Sequence, residues 1–243
     1  MIASARKVYI QRMLEEKGIV SVKEVASEIG LSEITISRDF EKMEAAGLLR
    51  RVRGGAIGPN AELTMNRKKD IFAAEKAKVA KAAADLVNDG ECIFLDAGTS
   101  VAEMMEFLKH KRISIVTYSG LIINRVTKPV AADIFLLGGR YIPGYSIFTG
   151  EVAVSELEKC NFDRAFIGCT CVDVNQRVCY ATDEDSIEIK NIAMKKAEKN
   201  YLLLDSSKLG RRALMPIDGT DCFDQVICNQ AETGDYPQNF HFV

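Results

Sequence analysis

The 243-residue chain has only two histidines, His110 and His241, and they lie far apart. No stretch approaches the run of about 20 apolar residues that a membrane-spanning helix needs. Arg6 and Lys7 stand near the start, but no apolar segment follows them, so no export signal is expected and a cytoplasmic location is. The cysteines, at 92, 160, 169, 171, 179, 222 and 228, are odd in number. In a chain without an export signal they read as reduced thiols, not a disulfide framework. Cys169, Cys171 and Cys179 lack a zinc-ligand spacing and have no histidine nearby, so neither a metal nor a cofactor is expected. Internal repeats and low-complexity segments are also missing. A formal net charge of −2 argues against wholesale coating of nucleic acid. What remains is a globular composition, 47% hydrophobic and 27% charged, long enough for one large domain or two.

Local charge differs from the total. Arg50, Arg51 and Arg53 crowd four positions without an acid, and residues 66–81 hold six cations against Asp70 and Glu75. Just before the arginines, Ile36, Phe40 and Met43 recur at i, i+4 and i+7, one apolar stripe of a helix that starts at Ser32. Thr35, Ser37, Arg38 and Lys42 fall on other faces and suit base edges and phosphates. Upstream, Ser21-Val22-Lys23-Glu24 spells a capping box opening a short helix that stops at Gly30. A first helix over 4–17 and a strand at Ile19-Val20 precede it. Two helices about a glycine turn, then a basic hairpin ending in Gly54-Gly55, predict a winged helix-turn-helix over 1–57 with its wing against phosphates. A turn cluster at 57–60 opens a linker, placed at 58–73.

From residue 74 to 243 helices alternate with short apolar strands, expected at 92–95, 113–116, 134–137, 164–168, 201–204 and 225–228. This pattern predicts an α/β domain with a mostly parallel sheet. Ligands of such sheets sit at the carboxyl ends of strands. Those ends carry Asp96, Gly98, Thr99 and Ser100; Thr117, Tyr118 and Ser119; Gly138, Gly139 and Arg140; and Asp205-Ser206-Ser207-Lys208. Glycine lets backbone approach closely, hydroxyls and amides can meet an anion, and Lys208 can neutralise a phosphate. Singly, each has a plainer reading: Ser100 with Glu103 fits a helix cap, and the others fit turns and solvated loops.

Along nearly its full length the chain resembles the DeoR family of bacterial transcriptional regulators. The amino-terminal motifs are 21–30, Ser32-Glu33-x-Thr35-Ile36-x-Arg38-Asp39, Glu44-x-x-Gly47-Leu48-Leu49 and Arg53-Gly54-Gly55-Ala56. Beyond them come Asp96-Ala97-Gly98-Thr99-Ser100, Thr117-Tyr118-Ser119, Leu137-Gly138-Gly139, Phe166-Ile167-Gly168, Glu188-x-Lys190 and Asp205-Ser206-Ser207-Lys208. The resemblance implies a winged-helix reader joined to a sensor domain similar to the sugar-phosphate isomerase fold, repressing sugar-catabolism genes and answering to a phosphorylated sugar. Ser37 stands where the family's paired arginines are usual, Arg53 where histidine is, Tyr118 where asparagine is, and Ser100 where a second threonine is.

The expectation is a non-enzymatic repressor that binds operator DNA, is released by a sugar phosphate, and acts as a homodimer or higher even oligomer away from membranes. Ser32, Thr35, Ser37 and Arg38 are assigned to base or near-base contacts, and Lys42, Arg50, Arg51 and Arg53 to phosphates. The strand-end residues from Asp96 to Arg140 named above, with Lys208, are assigned to the effector. The alternatives are an isomerase-like enzyme with an accessory DNA-binding domain, and an activator or ligand-blind regulator.

Overall fold

The computed structural model describes residues 2–17, 19–52, 54–58, 71–127, 129–181, 183–230 and 235–243. Arg53, most of the expected linker and the cations Arg67, Lys68 and Lys69 lie outside them. The chain divides into two compact units, Met1–Ile71 and Phe72–Val243.

In the first unit, α1 (Ala3–Lys17) leads to β1 (Ile19–Ser21), α2 (Val22–Ile29), α3 (Glu33–Ala45), β2 (Arg50–Val52) and β3 (Gly55–Ile57). The capping box forms as spelled: Ser21 Oγ accepts from the Glu24 amide at 3.0 Å, and Glu24 Oε2 accepts from the Ser21 amide at 3.4 Å. Gly30 closes α2 in the left-handed region at φ 67°, where a side chain would strain the turn. Ile36, Phe40 and Met43 of α3 are buried together with Ile10, Met13 and Val25. Burying a side chain of that size contributes roughly 1.5–3 kcal/mol. Strand order is β1-β3-β2, all antiparallel, with Val20 and Arg51 flanking Ala56. A Cβ on Gly55 would stand 2.2 Å from the Val20 carbonyl oxygen, so only glycine lets the wing close on β1.

The second unit runs α4 (Ala73–Asp85), β4 (Cys92–Leu95), α5 (Thr99–Glu103), α6 (Met105–Leu108), β5 (Ser114–Thr117), α7 (Gly120–Ile123), β6 (Asp133–Leu136), β7 (Arg140–Ile142), β8 (Ile147–Thr149), α8 (Glu151–Leu157) and β9 (Phe162–Gly168). It continues with β10 (Cys171–Asp173), β11 (Val178–Ala181), α9 (Glu184–Lys196), β12 (Ala197–Leu204), β13 (Met215–Gly219), β14 (Gln225–Cys228) and β15 (Phe240–Phe242). Seven strands form one parallel sheet in the order β15-β14-β12-β9-β4-β5-β6. From β4 the chain moves outward one way through β5 and β6, then returns to build β9, β12, β14 and β15 on the other side. The direction therefore switches between β4 and β9. Ile93, Phe94, Leu95, Ile115, Ala165, Phe166, Leu202 and Leu203 are buried along the central strands. Short apolar runs buried on both faces are what a parallel sheet requires.

Two small antiparallel sheets, β7-β8 and β10-β11-β13, had no counterpart in the periodicity. Their strands are mostly three to five residues long, too short to show a period of two. Helix α9 begins at Glu184 because Asp183 caps it by accepting from the Ser186 amide at 2.8 Å. It stops at Lys196 because Ala197 joins the ladder opposite Phe162. Among the described residues no helix is long and apolar enough to cross a membrane.

Candidate functional site

On α3 the apolar stripe turns inward and leaves Arg38 and Lys42 exposed and Ser37 half-buried. Ser32 caps the helix, its Oγ accepting from the Thr35 amide at 3.3 Å and lying 2.9 Å from the Thr35 hydroxyl. Ser32 is exposed and Thr35 half-buried, at the end of the helix where positive partial charge gathers. Asp39 is not part of that surface. It is buried, and it accepts from Arg6 through Nε at 2.6 Å and Nη2 at 3.0 Å, tying α1 to α3. The pairing holds the Arg6 guanidinium above its usual range. Arg50 and Arg51 are exposed on β2. The Arg51 guanidinium lies 3.1 Å from Glu41, and its amide donates to Glu44 at 2.7 Å, which anchors the wing to the end of α3.

Ile34 is a surface residue that the apolar pattern passed over. It is 68% exposed in the first turn of α3, three and four residues before Ser37 and Arg38 and thus on their face. Its signal was an isoleucine off the stripe of Ile36, Phe40 and Met43.

In the second unit the carboxyl ends of β4 and β9 meet where the chain direction switches. A Cβ on Gly168 would stand 3.0 Å from Gly98 Cα and 3.1 Å from Asp96 Oδ2, so the two backbones touch because both residues are glycine. Asp96 follows β4 and is fully buried. Its Oδ2 accepts from Lys190 Nζ at 2.6 Å and from the Gly168 amide at 2.8 Å, and its Oδ1 from the Tyr118 hydroxyl at 2.5 Å. Lys190 Nζ also donates to the Gly168 carbonyl at 3.2 Å. One carboxylate thus joins β4, β5, β9 and α9. Lys190 belongs to a quoted motif but was not assigned to the site. It shares the inward face of α9 with Ser186, Ile189, Ala193 and Met194, and a lysine in such a row was the available signal.

Tyr118 sits inside the protein. Its ring stacks on Phe94 at 6.1 Å and 11°. Burial, then the nearby Asp96 charge, pushes the phenol well above its usual range, so it stays a donor. Thr117 Oγ1 donates to the Leu95 carbonyl at 2.7 Å and accepts from the Ser119 amide at 3.1 Å. The helix-cap reading of Ser100 is corrected. Gly98 occupies the cap position of α5, and Ser100 lies inside the helix. Glu103 instead pairs with Arg125. Thr99 is buried at the first position of α5. Ser100 Oγ and Ser119 Oγ are buried without a hydrogen-bond partner, which leaves two strand ends with open hydroxyls.

Lys208 reaches from the loop after β12 to donate to the Cys169 carbonyl at 2.7 Å, one residue beyond the carbonyl that Lys190 holds. Two ammonium groups therefore converge on the end of β9. Between them burial pushes the Cys169 thiol up, which keeps it protonated. Gly138, Gly139 and Arg140 serve the hairpin. The Gly138 amide donates to Glu156 at 2.8 Å, and Gly139, at φ 126°, lies so close to Thr149 that a Cβ would stand 2.4 Å from its carbonyl oxygen. Arg140 is exposed and lies 3.2 Å from Asp185 at the start of α9. A cavity of about 410 Å³ lies at the amino-terminal ends of β9 and β12, lined by Asp163, Lys195 and Lys196 among others. It is far from these groups along every strand it touches. Among the described residues no three His, Cys, Asp or Glu side chains are grouped to hold a metal ion.

Residues 6–62 match the DeoR-like helix-turn-helix domain, and residues 71–230 match the DeoR C terminal sensor domain. A lactose phosphotransferase system repressor of Lactococcus lactis is 32% identical over 82% of this chain and 80% of its own. An HTH-type transcriptional regulator of Bacillus subtilis, FruR, is 32% identical over 86% of this chain and 84% of its own. Ribose 5-phosphate isomerase A of Methanocaldococcus jannaschii overlaps 57% of this chain and 55% of its own at a TM-score of 0.39 and 20% identity, a likeness too loose to carry an argument. With both of its units matched in order, a helix-turn-helix followed by a sensor domain, the chain belongs to the DeoR family of DNA-binding transcriptional regulators, not to a family of enzymes.

Proposed function

We propose that the chain represses a sugar-utilisation operon in the cytoplasm and leaves its operator when a phosphorylated sugar binds the second unit. The observation that carries this is the pairing, in one chain, of a reading helix and wing that expose Arg38, Lys42, Arg50 and Arg51 with strand ends that hold two unpartnered hydroxyls and, at the end of β9, two ammonium groups. Ser32, Thr35, Ser37 and Arg38 face base edges, and Ile34 supplies an apolar contact for a thymine methyl. Lys42, Arg50, Arg51 and Arg53 take phosphates. In the second unit Ser100, Ser119, Thr99 and Lys208 meet the phosphate or its sugar. Asp96, Gly98, Thr117 and Tyr118 shape the strand ends around them, and Gly138, Gly139 and Arg140 border the site. That the similar protein of Lactococcus lactis is a lactose phosphotransferase system repressor supports this reading. A ligand can release DNA only by binding the DNA-competent arrangement less well than another, so effector and operator must oppose each other reciprocally.

The experiment has two steps. An operator is first selected from random duplexes, and its affinity is then read by fluorescence anisotropy with and without sugar phosphates and their free sugars. Release by one phosphate but not by its free sugar is expected. Unchanged affinity across the panel would leave a ligand-blind regulator, and tightening would make the protein respond with the opposite sign.

A further inference from the structure

The seven-stranded sheet has two edges, and they are finished differently. At β15 the aromatic side chains fold back: Tyr236 lies 5.3 Å from Phe240 and 4.9 Å from Phe242, and all three pack on the core. Only His241 of that strand is exposed. At β6 the apolar side chains turn outward, with Phe135 67% and Leu136 36% exposed. Val152 of α8 is exposed beside them, 3.5 Å from where a Cβ on Gly138 would stand, and Tyr141 is exposed on the strand that follows. The strand contains no lysine, arginine or proline, and its one charge, Asp133, stands at its first position.

Among the described residues, β6 pairs on one side alone, with β5. The amides of Asp133 and Leu137 donate to Ile113 and Thr117 of the β5 segment. By the two-residue period of a strand, those of Ile134 and Leu136 turn away from the sheet. We propose that β6 pairs antiparallel with β6 of a second copy of this chain about a two-fold axis through Phe135. In that register Ile134 of one copy faces Leu136 of the other, both outward amides and carbonyls of each strand find partners, and the two Phe135 rings meet at the axis. Neighbouring registers leave one outward residue of each copy outside the ladder. The four exposed side chains amount to on the order of 400 Å² per copy, divided between the two faces of the sheet because Phe135 and Leu136 point oppositely. Twice that is about half of what a stable interface buries, the rest coming from the polar surroundings. A two-fold pair also suits a reader that carries one recognition helix per chain, since such proteins bind two half-sites. The pairing itself rests on the strand and does not require the effector reading.

Sedimentation and light scattering of the full chain, of Phe135→Lys and of Phe135→Cys test it, each checked for an unchanged circular dichroism spectrum. Phe135 is exposed, so both replacements are compatible with the fold. Expected are an even multiple of the 26.9 kDa chain for the unaltered protein, and half that mass for Phe135→Lys or dissociation at a tenfold higher concentration. Phe135→Cys should give an oxidised dimer, reversed by thiol, that the unaltered protein with its seven cysteines does not give. Should Phe135→Lys not fold, Val152→Lys, on the exposed face of α8, should weaken the same assembly. A monomeric unaltered protein would overturn the proposal, as would lysine variants that keep its mass or a Phe135→Cys protein that forms no bridge.

Discussion

In the first unit the described cations assigned to DNA, Arg38, Lys42, Arg50 and Arg51, are all exposed. In the second unit the polar groups at the strand ends are buried, with Asp96, Thr99, Ser100, Thr117, Ser119 and Lys190 each under 6% exposed. The contrast separates two kinds of recognition. Exposed charge attracts any phosphate backbone at long range and is screened by salt, while specificity is left to a few short contacts. Buried polar groups attract little from a distance, but each must be matched, so geometry and stability become one problem. A mutation in the reading surface should therefore change binding and leave the fold alone. One in the buried network should change both.

The largest effect is expected at Asp96. Asp96→Leu leaves the Lys190 ammonium, the Tyr118 hydroxyl and the Gly168 amide without their acceptor, at a cost of about 3–5 kcal/mol. The melting temperature of the second unit should fall by about 10 °C or more. The double change Asp96→Leu with Lys190→Met removes the stranded charge and should recover part of that loss in the same melt. No recovery would mean that the network is not governed by the ion pair.

Acid should distinguish the units next. Glu91 accepts from Arg164 Nε and Nη2, both at 2.8 Å, and this guanidinium, aided by Asn88, holds its carboxyl down to about 2. The folded value is depressed, so the stabilisation is complete above the unfolded value near 4.3 and is lost as pH falls from there through about 2. It is worth on the order of 2 kcal/mol. Denaturant melts from about pH 6 to about pH 2.5 should show the loss in the second unit, and Glu91→Gln should flatten it.

On the reading surface, Arg38→Ala should cost about 1–3 kcal/mol on the selected operator and much less on random duplex. Arg51→Ala should weaken both alike and reduce the salt slope by about one unit. Equal losses on both DNAs for the Arg38 variant would remove it from base recognition. The smallest effect is local. Ser21→Ala deletes the capping box of α2 and should lower the stability of the first unit by about 1 kcal/mol, visible in its melt and invisible in that of the second.

How much of this could be read from the residues also differs between the units. The reader was legible almost throughout, because its signals are local: a serine and glutamate three apart, a glycine just past a helix, and an apolar stripe at helical spacing. The partner of Asp39 was not, since Arg6 lies 33 residues away. In the sheet domain six of the seven parallel strands, all but β15, showed as apolar runs and their polar ends as glycine- and hydroxyl-rich loops. Those ends meet only through the order of strands, which the chain does not spell out. The contacts of Asp96 to Tyr118, Gly168 and Lys190 span 22, 72 and 94 residues. That separation is why Tyr118 read as a loop residue near a ligand when its ring belongs to the core, and why Lys190 was passed over. The short hairpin β7-β8 carries no periodic signal at all.

The central claim is that the second unit senses a phosphorylated sugar, and a thermal-shift screen of the full chain against sugar phosphates and their free sugars tests it most directly. A ligand at about a hundred times its dissociation constant adds about 2.7 kcal/mol and moves the melt by several degrees. One phosphate should raise the melting temperature, its free sugar should not, and Lys208→Ala should remove the shift. A broad panel that leaves the melt unmoved while operator binding is intact would contradict the claim.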